Sequence, residues 1–104
     1  MSKNINIAVI GLGQIGSYVY NELNIKKKDI EIKTGKKIKV VGISAKNKNK
    51  KRKFKINKKI FYSNPLDILK IKNLHIIIEA IGLSDGISKK VIETALKNKI
   101  HVIT

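Results

Sequence analysis

The sequence predicts an α/β fold: a doubly wound, mostly parallel sheet of about five strands with helices on both faces. Three observations carry this. Short, β-branched apolar runs recur along the chain, segments of helical character separate them, and the first run leads straight into a glycine-spaced turn that opens a helix. Apolar runs without alternation belong to strands covered on both faces, and intervening helices imply right-handed crossovers between parallel neighbours.

The elements follow in order. "INIAVI" (Ile5 to Ile10) is the first strand. After "GLGQIG" comes a helix in which Ile15, Val19 and Leu23 recur every four residues, with Asn21 and Glu22 toward water. Its end is open: "DIEIK" alternates as a strand would, yet Ile30 loosely continues the helical series and Gly35 is a suitable terminator. "KIKVVGI" (Lys37 to Ile43) is the second strand, and "KIFYS" is a short third one. "NPLDILKI" reads as a short helix, with Asn64 as cap, Pro65 in the first turn, and Leu66 and Leu69 on one face. "LHIIIEAIG" is the most apolar strand. A helix from about Ser84 to Asn98 follows, facing inward with Ile87, Val91, Ala95 and Leu96, and "IHVIT" is the final strand. No internal repeat is visible, and the 104 residues suffice for one domain, residues 1–104.

Composition narrows the function. There is no cysteine, so disulfides and thiolate metal sites are excluded. No apolar run approaches the roughly 20 residues that cross a bilayer, and the amino terminus lacks the pattern of a secretion signal. The chain reads as a soluble, cytoplasmic protein. A formal charge of +16 raises nucleic-acid binding as a hypothesis, and residues 46–59 hold nine lysines and arginines in fourteen positions. Against it, Arg52 is the sole arginine, the lysines run from Lys3 to Lys99, and five aromatics are few for a single-strand binder.

The chemistry concentrates in Gly11, Gly13 and Gly16, a Gly-x-Gly-x-x-Gly placed between an apolar strand and a helix. A β-carbon at either of the first two would obstruct the turn or a diphosphate approaching the helix N-terminus. Gly16 lets the helix pack closely on the strands. The pattern and its context describe a Rossmann-like, dinucleotide-binding unit; a tight turn without ligand is the alternative. At the end of the second strand an NAD-selective site would place an acid. The chain instead has Ser44, Ala45, Lys46 and Asn47, and no carboxylate occurs between Lys33 and Leu66. Lys46 is either a contact for the extra phosphate of NADP or an ordinary surface lysine. Glu79 ends the most apolar strand, where it either orients the loop of Ile81 and Gly82 past the nicotinamide or caps nearby backbone donors. His75 and His101 flank strands as edge residues.

"IAVIGLGQIGSYV", "IKVVGISAKN", "IIIEAIG" and "ALKNKIHVIT" together resemble, in order and spacing, the amino-terminal cofactor domain of homoserine dehydrogenase across essentially the whole chain. The resemblance implies reduction of aspartate semialdehyde to homoserine with NAD(P)H, on the way to threonine and methionine. It places Leu12, Gln14 and Ile15 against the pyrophosphate and puts Lys46 where the family often has an arginine facing the adenosine phosphate. Asn47 departs from a common aspartate, and Leu83 from a second glycine after Gly82. NADP is therefore preferred over NAD only by the loop chemistry. The family continues past this ending with Ala-Asn-Lys and a mixed α/β substrate and dimerisation domain. The resemblance thus implies a fragment cut after Thr104, inactive alone, from a parent that is a homodimer or larger. Aspartate dehydrogenase and dihydrodipicolinate reductase, which share the opening motif, are the enzymatic alternatives; a basic nucleic-acid-binding module is the non-enzymatic one.

Overall fold

The computed structural model describes residues 3–45, 55–81 and 86–104. Five strands form one sheet: β1 (Lys3–Ile10), β2 (Lys36–Ser44), β3 (Phe61–Tyr62), β4 (Ile76–Glu79) and β5 (His101–Ile103). Their order is β3-β2-β1-β4-β5, and every pairing is parallel. The helices are α1 (Gln14–Thr34), α2 (Pro65–Ile68) and α3 (Gly86–Lys97). None of the described helices is long and apolar enough to cross a membrane.

Two apolar layers enclose the sheet, which is why β1 reads as a continuous apolar run. Ala8 and Ile10 turn toward one side, where Ile68, Leu69, Leu74, Ile77, Val91, Ala95 and Ile100 join them beneath α2 and α3. Val9 turns to the other side and packs with Leu12, Tyr20 and Ile43 beneath α1. Winding therefore changes face at β1: α1 leaves it over one side, while the chain through β4 returns over the other.

Helix α1 resolves the ambiguity of "DIEIK" in favour of helix. It runs to Thr34 and stops at Gly35, whose φ of 74° is left-handed and whose N–H reaches the Glu31 carbonyl at 2.8 Å. Its buried face is not the one the four-residue periodicity indicates. Gly16, Ser17 and Tyr20 are buried, Val19, Asn21, Glu22 and Leu23 are half-buried, and Ile15 is 75 % exposed. The first turn stands over the glycine loop rather than the sheet, so packing rotates the inner face onto small residues. In α3, likewise, Val91 and Ala95 are buried but Leu96 points outward, at 60 % exposure. Helix α2 follows expectation, with Asn64 Oδ1 accepting from the Leu66 N–H at 3.0 Å. The third strand is shorter than "KIFYS" suggests, because Lys58–Ile60 form a 3-10 turn in front of it.

Strand β2 carries an irregularity with structural consequence. Ile7 pairs with Val40 but Ala8 pairs with Gly42, so one residue is inserted opposite β1. Val40 and Ile43, three apart, consequently share the α1 side, while Val41 packs on the opposite layer. Gly42 lies on Val41's side, where a β-carbon would come within 3.0 Å of Ile71 Cδ1. The bulge brings the last residues of β2 into step with the turn after β1.

Candidate functional site

Three chain segments meet at the carboxyl edge of the sheet where the winding changes face. Gly11 leaves β1 with φ of 97°, a left-handed conformation costly for any residue with a β-carbon. Its N–H donates to the Ser44 carbonyl of β2 at 2.8 Å, and next to it the Ala80 N–H donates to the Ile10 carbonyl at 2.8 Å. A β-carbon on Gly11 would stand 2.8 Å from the Ala80 carbonyl carbon and 2.9 Å from the Ile81 nitrogen. The turn is thus clamped between the ends of β2 and β4.

Gly13 and Gly16 have opposite surroundings. Gly13 is the N-cap of α1 and is exposed; a β-carbon there would meet nothing within 4 Å. It provides no side-chain cap, and no acid stands in the first helical turn. The leading N–H groups of an α-helix lack intrahelical acceptors and carry the positive end of its dipole, so this opening suits an anion. A β-carbon on Gly16, by contrast, would be driven into the Gly11 carbonyl oxygen and would touch Ala80 Cβ at 3.4 Å. Gly16 is what allows α1 to begin directly upon the loop.

Ser17 and Tyr20 complete the scaffold, and sequence reasoning missed both. Ser17 is buried; its Oγ donates to the Leu12 carbonyl at 2.9 Å and its N–H to the Gly13 carbonyl at 2.9 Å. Its place directly after the third glycine, on a helix face that must pack tightly, is the signal that could have found it. Tyr20 is buried behind Leu12, and its hydroxyl accepts the Asn57 N–H at 3.2 Å. Nothing local in the sequence announces that bond.

The remaining candidates fall as follows. Leu12 is buried against Val9, Tyr20 and Ile43, so its side chain belongs to the core beneath α1. Gln14 and Ile15 are exposed on the first turn of α1. Ala45 follows β2 and packs at the margin of the α1-side layer. Ile81 lies beside Gly11 and packs partly on the opposite layer. Lys46 and Gly82 lie outside the described residues, as do Asn47 and Leu83.

Glu79 is buried, and its Oε2 accepts the Ile81 N–H at 2.6 Å, so the carboxylate caps a backbone donor and by that bond shapes the loop leaving β4. Of the two roles considered for it, this bond is the capping of a backbone donor. Glu79→Ala is expected to lose about 1–3 kcal/mol by stranding that donor. Glu79→Gln, which keeps an acceptor, should lose less; urea unfolding of the two variants measures the difference. His75 flanks β4 but not a sheet edge: it is exposed, its Nδ1 accepts the Asn6 N–H at 2.9 Å on the β1 side, and its carbonyl accepts the His101 N–H at 3.0 Å on the β5 side.

A parallel sheet ordered 3-2-1-4-5, with a glycine turn and an open helix N-terminus at its switch point, defines a dinucleotide-binding domain. A family model described as "Oxidoreductase family, NAD-binding Rossmann fold" matches residues 5–104, and the chain belongs to that family. Among curated proteins it is similar to homoserine dehydrogenase of Bacillus subtilis, 26% identical over 102 residues, and to that of Neisseria gonorrhoeae, 24% identical over 102 residues. Each alignment covers 98% of this chain and 23% of the relative. Among solved structures, S. aureus homoserine dehydrogenase at pH 6.5 superposes with a TM-score of 0.87 at 33% identity, covering 98% of this chain and 26% of that one. The chain thus spans about a quarter of the length of the relatives it matches.

Proposed function

We propose that this chain is the cofactor-holding part of a homoserine dehydrogenase, which interconverts aspartate semialdehyde and homoserine, and that it prefers NADP to NAD. The observation that carries the dinucleotide reading is the uncapped start of α1 facing open space at Gly13. Likeness to homoserine dehydrogenases along 98% of the chain, in sequence and in structure, favours that enzyme over other reductases with the same turn.

In this reading Gly11 and Gly16 shape the turn, and the backbone of Leu12, Gly13, Gln14 and Ile15 receives the diphosphate. Ala45 and Lys46 take the adenosine side, and Ile81 and Gly82 flank the nicotinamide. The nicotinamide, when bound, supplies the hydride acceptor or donor; these residues hold and orient it. Substrate handling and dimerisation are assigned to a further domain of the whole protein, so the 104 residues alone are expected to bind NADPH without turning over homoserine.

Fluorescence titration with NADPH and NADH tests the reading. Lys46→Glu removes one charge-assisted contact and adds a repulsion, so NADPH affinity should fall by about tenfold or more while NADH changes by about twofold or less. Equal losses for both nucleotides would remove Lys46 and the NADP preference. Wild-type binding of neither nucleotide, with salt-sensitive RNA binding instead, would favour the basic-module alternative.

A further inference from the structure

We infer that Ser44, the last residue of β2, is a specificity-determining contact for the adenosine ribose of the cofactor, through a hydroxyl that the fold itself leaves unpaired. The inference rests on the dinucleotide reading above and extends it to a side chain given no part in it there.

Ser44 is fixed to the glycine turn by its backbone. Its carbonyl accepts the Gly11 N–H at 2.8 Å, and it pairs with Ile10 on one side and Tyr62 on the other. Only 3 % of the residue is exposed. A buried serine ordinarily has a partner, as Ser17 has in the Leu12 carbonyl at 2.9 Å. The Ser44 hydroxyl forms no hydrogen bond with any described residue. Yet among the described residues no polar side-chain atom is both sealed from solvent and unpaired, so this hydroxyl opens outward.

Packing sets the direction of that opening. Ile43 belongs to the layer beneath α1, so Ser44 turns to the opposite side, which its neighbour Ile10 shares. Below it on that side, a β-carbon on Gly42 would already meet Ile71, Ile68 and Tyr62 within 3.5 Å. Ile10 and Tyr62 flank it. What remains is the carboxyl edge of the sheet, beside the glycine turn. A dinucleotide crosses that edge with its adenosine half over β2, the strand end at which an acid selects NAD. Serine is uncharged there and can both give and take a hydrogen bond. It accepts from a ribose hydroxyl of NADH or donates to the extra phosphate of NADPH, and the charge-assisted bond is the stronger. Ser44 thereby admits the nucleotide that an acid would exclude.

Urea unfolding of the free chain and fluorescence titration with NADPH and NADH, on wild type, Ser44→Ala and Ser44→Asp, test this. Alanine removes no bond within the fold, so the unfolding midpoint should not fall. Affinity should nevertheless drop about tenfold for NADPH and about threefold for NADH, the scale of one charged and one neutral hydrogen bond. Aspartate should weaken NADPH about a hundredfold and leave NADH within about threefold, reversing any preference for NADPH. Ser44→Ala decides the matter alone if the aspartate variant does not fold. Unchanged affinities in Ser44→Ala, or a lowered midpoint that reveals a bond within the fold, overturn the inference and leave the dinucleotide reading intact. A wild-type chain that binds neither nucleotide overturns that reading, and this inference with it.

Discussion

Gly16→Ala is expected to cost about 3 kcal/mol or more, the upper end of what overpacking exacts, because the obstruction is backbone and cannot swing aside. The new methyl would be forced into the Gly11 carbonyl oxygen, with the Gly11 carbonyl carbon at 2.9 Å. Gly11 cannot retreat, since its N–H is bound to Ser44 and its far side abuts Ala80 and Ile81. A domain of this size holds only about 5–15 kcal/mol in all, so the variant should unfold at markedly lower urea or fail to accumulate folded. Gly86→Ala is the matching control. It begins α3 in open space, with nothing within 4 Å of an added β-carbon, and should leave the midpoint unchanged or slightly raised. Equal midpoints for the two variants would show that α1 does not begin directly on the loop.

Gly13→Asp should do the reverse, keeping the fold and abolishing binding. The backbone at Gly13, φ −72° and ψ −158°, is extended and open to any residue, and an added β-carbon meets nothing within 4 Å. Aspartate is among the best N-caps, so stability should rise by a few tenths of a kcal/mol over glycine. The same carboxylate would occupy the amides that a diphosphate requires and repel its charge. Affinity for NADPH and NADH should both fall by about a hundredfold or more, the scale of losing two or more charge-assisted bonds. Thermal melting and nucleotide titration on one preparation separate the two effects. Retained affinity in a stabilised variant would sink the anion site at α1.

The two variants show why the glycine motif was legible and most of its support was not. Spacing of 11, 13 and 16 between an apolar run and a helix is a local pattern, and its division of labour follows from where β-carbons would project. Ser17 and Tyr20 act through partners that spacing does not reveal. Tyr20 is bound to a residue 37 positions away. Ile15 and Leu96 failed as core residues because helical periodicity identifies an apolar stripe without saying which neighbour it meets. Ile25 and Ile32, exposed at 65 % and 79 %, show the same weakness along α1, and explain why "DIEIK" could be read as strand.

The amino-acid sequence by itself determined the parallel α/β class, the glycine turn and the cap at Asn64, while the end of α1 at Gly35 was left for the structure to decide. Each rests on residues near one another in the chain: burial on both faces makes a strand uniformly apolar, and caps act within a turn of the helix they close. Only the tertiary structure decided the bulge that sets Val40 and Ile43 on one face, the rotation of α1 onto Gly16, Ser17 and Tyr20, and the joining of Glu79 to Ile81 beside Gly11. These depend on how closely separate strands and helices approach, and distances of that kind arise from packing the whole sheet rather than from any one segment.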